Sequence, residues 1–254
     1  MWSNNTKISI MIIMLMSILA PHVEAWEAKQ KSLNKKVILW AWERPEKLEF
    51  IDPQKTGVAY LAKSLLLKGE IVLSKPRLQP LKVPAETELI AVVRIDIDKV
   101  HPPLLSVQQQ DRVVSEILEL TQREDLARIQ IDFDAAVTER NFYSELLNKL
   151  HEQLPSSIAL SIIALASWCI YDDWIKGLPV DEAVPMLFRM GIDKEAIHHY
   201  LQEHGNFPVE ACNGSIGIST DESTTLIRAA KRIYIFNPRG WTHADYSAIL
   251  KNYK

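Results

Sequence analysis

Short apolar runs alternate along the chain with longer stretches in which apolar residues recur at helical spacing. Eight runs are rich in Val, Ile, Leu and Ala, which is typical of strands buried on both faces of a parallel sheet. These runs cover residues 37–42, 57–62, 89–97, 127–133, 159–168, 184–190, 215–219 and 232–236.

Amphipathic helices are predicted between most of these runs. The helical stretches cover residues 106–123, 138–153, 193–204, 222–231 and 242–252, with Thr138 and Thr242 as candidate N-caps. Eight strands with helices between them predict an α/β protein with a (β/α)8, TIM-barrel-like fold. A doubly wound open sheet is the alternative, but no Gly-rich loop follows the first run, which disfavours a dinucleotide-binding version.

The connection between the second and third strands departs from the pattern. Residues 68–87 contain the extended stretch Ile71-Val72-Leu73 and several prolines between Pro76 and Pro84. Proline disrupts helices, so we expect a hairpin or another irregular excursion here.

The composition is that of an ordinary globular domain, except at the N-terminus. The chain has 254 residues, a net charge of −3 and no basic stripe, which argues against a nucleic-acid partner. A short basic start, an apolar run and a small residue at Ala25 predict a signal peptide over residues 1–25. We therefore expect export to the periplasm or the medium. A flexible segment over residues 26–36 would precede one barrel domain over residues 37–254. In the alternative case, the leader is not cleaved and serves as a membrane anchor.

The two cysteines, Cys169 and Cys212, raise the question of a disulfide in an exported protein. Cys169 lies just past the end of one predicted strand and Cys212 just before another. These positions are at opposite ends of a parallel barrel, so we expect two unpaired thiols.

A pair of carboxylates on the fourth strand is the best candidate for a functional site. Side chains alternate along a strand, so Gln130, Asp132 and Asp134 share one face while Ile129, Ile131 and Phe133 share the other. The apolar set suits the helices, and the polar set must then point into the barrel. Two carboxylates about 6–7 Å apart at their Cα atoms raise each other's pKa, as a general acid near neutrality requires. Capping the next helix, or pairing with an inward arginine, is the structural alternative.

Neighbouring strand ends supply possible partners for this pair. On the third strand Arg94 and Asp96 are predicted to point inward by the same alternation. Arg94 then either keeps Asp132 ionised while Asp134 stays protonable, or forms a buried ion pair that only satisfies the core. Glu43 is a second candidate acid or base. Candidate substrate-binding residues at the ends of other strands are Trp40, Trp42, Trp168, Arg189, Asn237 and Arg239. Aromatic rings at a barrel mouth are typical of sugar-binding clefts, although core packing explains any single Trp equally well.

No metal or cofactor is expected. His199 and His204 are five residues apart and do not share a helix face, and no H-E-x-x-H spacing is present. The chain also lacks a G-x-S-x-G elbow and a P-loop, which excludes the usual esterase and nucleotide-hydrolysing motifs.

Four segments resemble a family of exported bacterial proteins of unknown function. They are residues 38–45 (ILWAWERP), 130–135 (QIDFDA), 164–169 (ALASWC) and 181–191 (DEAVPMLFRMG). The fourth strand also resembles that of chitinase-like glycoside hydrolases, which carry acidic residues at alternate positions with the catalytic acid last. That resemblance implies that Asp134 is the acid, Asp132 the supporting Asp and Gln130 the counterpart of a first Asp. The chain departs from the pattern in having Asp for Glu at 134 and Gln for Asp at 130.

Two functions follow as hypotheses. The first is a carbohydrate-active hydrolase in which Asp134 protonates the glycosidic oxygen, with Asp132 or Glu43 as the second carboxylate. The second is a non-catalytic barrel that binds a glycan or a protein partner in the cell envelope. Both place a carbohydrate or another small polar ligand at the barrel mouth, and neither fixes the oligomeric state.

Overall fold

The computed structural model describes residues 37–123, 125–172, 174–222 and 230–252. The signal peptide predicted over residues 1–25 and the flexible segment over residues 26–36 lie outside the described residues. Most of the helix predicted over residues 222–231 also lies outside them.

Eight parallel strands form a closed barrel, which confirms the predicted (β/α)8-like fold. The first strand closes the barrel, because it pairs in parallel with both the second barrel strand and the last. The barrel strands are β1 (Val37–Ala41), β3 (Thr56–Lys68), β6 (Leu89–Ile97), β7 (Leu126–Asp132), β8 (Ala159–Leu165), β9 (Glu182–Met186), β10 (Ser215–Ser219) and β11 (Arg232–Phe236). The short strands β2 (Glu46–Lys47) and β5 (Leu81–Lys82) pair with each other outside the barrel.

The irregular connection predicted between the second and third barrel strands is a hairpin. Strand β3 runs six residues past the predicted end at Ala62, and β4 (Ile71–Pro76) folds back on it antiparallel, from Lys68↔Ile71 to Lys63↔Pro76. The strand continues because β4 takes over the hydrogen-bonding edge that β1 occupies lower in the barrel. The wall of the barrel is therefore taller on this side.

The described helices are α1 (Val107–Leu118), α2 (Arg140–Gln153), α3 (Ala166–Ile170), α4 (Lys194–His204) and α5 (His243–Asn252). Four of them lie where the pattern placed them, whereas α3 occupies the end of a run predicted as strand over residues 159–168. The expected cap at Thr242 is confirmed, because its Oγ1 accepts from the N–H of Asp245 at 3.1 Å. Thr138 was wrong as a cap: a 3-10 turn over Val137–Glu139 precedes α2, and the Thr138 hydroxyl donates to Glu139 instead.

Two hydrophobic cores follow from the alternation of side chains along the strands. The outer core lies between the barrel and the helices and includes Ile129, Ile131 and Phe133 of the fourth strand and its extension. The inner core fills the barrel with Ile38, Trp40, Ala59, Ile90, Val92, Ile163, Val184, Phe188 and Tyr234. The apolar face of β7 thus turns to the helices, as predicted, and its polar face turns inward.

The expectation of two unpaired cysteines was wrong, because Cys169 and Cys212 form a disulfide with their Cα atoms 6.1 Å apart. Cys169 lies on α3, which starts directly at the end of β8 and packs against β9. Cys212 ends a 3-10 turn (Glu210–Cys212) that contacts the same strand. Both residues therefore lie against β9 in the outer core. Their positions after the carboxyl end of β8 and before the amino end of β10 did not reveal this shared contact.

Candidate functional site

A cavity of about 160 Å³ opens at the carboxyl ends of the barrel strands. Five of the residues proposed from the sequence line it. Two belong to the first barrel strand and its extension, and three belong to the third and fourth barrel strands and their extensions. The lining residues are Trp40, Trp42, Arg94, Asp132, Asp134, Ile163, Met186, Phe188 and Phe236. Active sites of parallel α/β barrels lie at this end, so the cavity is the candidate site.

One arginine on the polar side of the cavity holds two carboxylates: Asp132, which lines the cavity, and Asp96, which is not among the lining residues. Arg94 Nε donates to Asp96 Oδ1 at 3.0 Å, and its Nη1 donates to Asp132 Oδ2 at 3.2 Å. Asp132 is buried, with 6% of its surface exposed, whereas Asp134 is exposed at the mouth. The two carboxylates therefore lie in different environments: Asp132 is buried inside the cavity, and Asp134 is in contact with solvent.

The pKa of Asp132 is raised to about 7. Burial is the largest cause, and it outweighs the nearby guanidinium of Arg94; the negative charges of Asp134 and Asp96 raise the pKa further. Arg94 favours the ionised form of Asp132, but it lowers the pKa by less than burial raises it. Because Arg94 also binds Asp96, its attraction for the ionised form of Asp132 does not compensate for the desolvation of that carboxylate.

Aromatic side chains form the opposite side of the cavity. The rings of Phe188 and Phe236 stack with their centroids 5.8 Å apart, and Trp42 meets Phe236 edge-on at 6.4 Å. Trp40 lies deeper, 6.2 Å from Phe188. The cavity thus presents an apolar aromatic surface facing a charged one.

Gln130 lies beneath the cavity and does not line it. Its side chain is fully buried, and its Oε1 accepts a hydrogen bond from Trp40 Nε1 at 2.9 Å. The alternation correctly turned Gln130 into the barrel, but at a depth where it contacts protein groups instead of a ligand.

Three other proposed residues lie away from the cavity. Glu43 faces a second cavity of about 160 Å³ beside the hairpin. Trp168 is buried in the outer core, edge-on to Trp174 at 5.0 Å, because the chain leaves β8 at Leu165 and turns into α3. Arg189 has a φ of 55° after the end of β9, and this left-handed turn directs it to Asp221 and Glu222 at the surface.

The last two proposed residues belong to the loop after β11. Asn237 is buried and its Oδ1 accepts from Thr220 Oγ1 at 3.2 Å and from the N–H of Arg239 at 3.1 Å. Arg239 is exposed. Asn237 therefore shapes the loop, and neither side chain lines the cavity.

Sequence reasoning missed four side chains of the cavity wall: Ile163, and three others for which a signal was present. Met186 and Phe188 follow Val184 at alternate positions, and Phe236 follows Tyr234 in the same way. The alternation that turned Asp132 inward would have turned these residues inward as well.

Arg77 was also missed, and no local pattern indicates its role. From the segment after β4, its guanidinium donates to the carbonyl of Ala41 at 3.2 Å, to that of Arg44 at 2.6 Å and to that of Trp42. Arg77 thereby fixes the backbone that carries Trp42 into the cavity. This contact depends on how the hairpin folds back across β1.

Among the described residues, no group of three or more His, Cys, Asp or Glu is arranged to hold a metal ion. In the same part of the chain, no helix has the length and apolar character needed to cross a membrane.

Comparisons with known proteins agree with the suspected family. Residues 86–183 match the model of a family described as a domain of unknown function, DUF3142, and this segment includes Arg94, Asp96, Asp132 and Asp134. The resemblance to a family of unknown function is thus confirmed over that segment. A search of curated proteins found no match.

Among solved structures, the chain is similar to the crystal structure of the Bacillus cereus spore cortex-lytic enzyme SleL. The TM-score is 0.48 at 18% sequence identity, and the alignment covers 73% of this chain and 51% of that chain. It therefore spans about half of that protein.

Proposed function

We propose that the cavity binds a saccharide unit and that the protein is a carbohydrate-active hydrolase. One observation carries this proposal: the stacked rings of Phe188 and Phe236, with Trp42, face Arg94 and two carboxylates across a single cavity. A pyranose ring has one face of C–H groups that packs on aromatic rings, and its hydroxyls bind charged side chains. The two sides of the cavity match these two properties of a sugar.

The two carboxylates take different roles in the proposed reaction. Asp134 is exposed at the mouth and donates its proton to the glycosidic oxygen as that bond breaks, while a water molecule, deprotonated by the second carboxylate, bonds to the anomeric carbon. Asp132 lies below it, and burial raises its pKa to about 7.

The second carboxylate of the reaction has to come from the same side of the cavity. Glu43 faces the separate cavity beside the hairpin. Asp132 and Asp96 remain, and both are hydrogen-bonded to Arg94. We assign the role to Asp132, because it lines the cavity that Asp134 lines.

A second function, glycan binding without turnover, is favoured by one specific feature. In the part of the chain that the structure describes, both carboxylates lining the cavity come from β7 and its extension, and the facing wall is aromatic. Glycoside hydrolases of the common type place two carboxylates on either side of the bond that breaks. Holding a sugar requires no carboxylate on each side of a glycosidic bond, so a one-sided pair also fits binding without cleavage.

The experiment that decides measures binding and cleavage separately. Soluble oligosaccharides of defined linkage are titrated into wild-type protein and the Asp134→Asn variant by calorimetry, and cleavage is followed by chromatography. Asp221→Asn is the matched control, because Asp221 is a carboxylate bound to Arg189 outside the cavity.

Three outcomes are distinguishable. Cleavage that is lost in Asp134→Asn with affinity retained, and unchanged in Asp221→Asn, supports the hydrolase. Binding without cleavage in the wild type supports the glycan-binding function. No binding of any oligosaccharide by the wild type contradicts both.

A further inference from the structure

We propose that Gln130 is a positioning residue that fixes the indole of Trp40 in the floor of the cavity, and that the buried carboxylate of Glu182 sets the orientation of Gln130. The inference deepens the proposed function, since Trp40 lines the cavity assigned to the sugar. It links the amino-end half of the barrel interior to the ligand site at the other end.

A continuous chain of hydrogen bonds connects the two ends. Trp40 Nε1 donates to Gln130 Oε1 at 2.9 Å, and Gln130 Nε2 donates to Ser161 Oγ at 3.2 Å. Ser161 Oγ in turn donates to Glu182 Oε2 at 3.2 Å. Gln130 and Ser161 have no exposed surface, and Glu182 has 5%.

The ionised carboxylate of Glu182 fixes the donor-to-acceptor direction of these hydrogen bonds. Arg128 donates to Glu182 at 3.0 Å, and Arg232 Nε lies 3.8 Å from the same carboxylate. Burial raises the pKa of Glu182, but the two guanidinium groups, together with hydrogen bonds from Ser215 and Tyr234, outweigh burial, and the pKa lies below its usual value. An ionised carboxylate only accepts hydrogen bonds, so the proton of Ser161 must point to Glu182.

The orientation of the Gln130 amide follows from this. Because the Ser161 hydroxyl has committed its proton, it can only accept from Gln130, and the amide NH₂ must face it. The amide oxygen then faces the indole N–H. The reverse orientation would set two donors against each other in a fully buried site, which is costly for buried polar groups.

Packing leaves Trp40 little freedom apart from this bond. Its ring lies 5.3 Å from that of Tyr234, whose hydroxyl donates to Glu182 at 2.7 Å. On another side, a Cβ added at Gly217 would lie 2.8 Å from Trp40 Cη2. The hydrogen bond to Gln130 sets the depth of the indole, and Phe188 rests against the indole on the cavity side.

The test observes the indole directly and does not depend on knowing the ligand. Protein labelled with ¹⁵N-tryptophan is studied by NMR, and the Trp40 signal is identified as the indole signal missing from Trp40→Phe. The test variants are Gln130→Leu and the milder Ser161→Ala. Ser215→Ala is the matched control, because Ser215 also donates to Glu182 but is not bonded to Gln130.

We expect the Trp40 indole N–H to shift and to exchange with solvent about 10-fold faster in Gln130→Leu and Ser161→Ala. Ser215→Ala leaves the signal in place. An unchanged Trp40 signal in Ser161→Ala, or an equal change in Ser215→Ala, overturns the proposal. The comparison of these two serine variants therefore decides even if Gln130→Leu fails to fold.

Oligosaccharide titration adds the functional readout. Gln130→Leu lowers affinity in the wild-type background but has no further effect in a Trp40→Phe background, because Gln130 acts through that indole. Additive losses contradict a positioning role. If the wild type binds no oligosaccharide, the proposed function fails while the indole signals still decide this inference.

Discussion

Arg94 Nη1 lies 3.2 Å from Asp132 Oδ2, yet the pKa of Asp132 is raised to about 7. A guanidinium at this distance normally lowers a carboxyl pKa. Here the carboxylate is 6% exposed and the guanidinium also binds Asp96. The ion pair therefore changes with protonation near neutral pH, and this behaviour distinguishes it from a permanent structural bridge.

The first prediction concerns the pH dependence of stability. Between pH about 4 and about 7 the folded protein keeps on Asp132 a proton that the unfolded chain has released, so the free energy of unfolding falls as pH rises through this window. Asp132→Asn cannot ionise and removes this decline, which amounts to about 2–4 kcal/mol. Denaturant unfolding at a series of pH values measures the difference in slope.

The control for this slope is Asp221→Asn. The pKa of Asp221 is lowered by its hydrogen bond from Arg189, so this carboxyl stays ionised across the window. Parallel slopes in the wild type and Asp132→Asn would show that Asp132 has an ordinary pKa.

The second prediction separates two tryptophans that the sequence did not distinguish. Trp42→Ala should lower oligosaccharide affinity about 10-fold by removing a stacking surface, with little loss of stability, since Trp42 lines the cavity. Trp168→Ala should cost about 3–5 kcal/mol of stability and leave affinity unchanged, because Trp168 is buried among outer-core residues. Calorimetric titration and denaturant unfolding are run on both variants. The reverse pattern would place the ligand outside the cavity.

The third prediction concerns the disulfide. Cys169 and Cys212 are 43 residues apart in the chain, and a cross-link of this length restricts the unfolded state by about 4 kcal/mol. The double variant Cys169→Ala, Cys212→Ala should lose roughly that much stability in denaturant unfolding. Wild-type protein unfolded under reducing conditions is the control, and it should match the double variant. A reduced protein as stable as the oxidised one would contradict the estimate.

The fourth prediction tests the close contact between Gly217 and Trp40. An alanine Cβ at position 217 would lie 2.8 Å from Trp40 Cη2, so Gly217→Ala should destabilise the fold by about 1–3 kcal/mol. The loss should shrink in a Trp40→Phe background, where the smaller ring leaves room. Gly214→Ala is the matched control, because its Cβ would meet no atom within 4 Å. Equal losses at the two glycines would refute a specific clash.

The barrel and the inward face of β7 were predictable because both depend on local periodicity. Strands buried on both faces read as apolar runs, and a period of two turned Gln130 and Asp132 into the barrel. The same regularity misled at Trp168, because an apolar run does not reveal where a buried strand becomes a buried helix. The chain leaves β8 at Leu165, and the alternation no longer applies beyond that residue.

Contacts between distant segments account for the rest of what the sequence did not show. The disulfide depends on α3 and the turn before β10 lying against one strand, and the carbonyl contacts of Arg77 depend on the path of the hairpin. The pKa of Asp132 is a balance between burial and a shared guanidinium. Each depends on three-dimensional distances that the spacing of residues does not contain.

The closure of the barrel has a consequence for how the chain folds. Strand β1 completes its pairing only when β11 lies beside it, with Val37 opposite Ile233, and Trp241 Nε1 then donates to the Trp40 carbonyl at 2.8 Å. Strand β1 must therefore wait until β11 has been synthesised, and contacts of such long sequence separation slow folding. A nascent chain has no finished cavity floor until β11 has emerged from the ribosome.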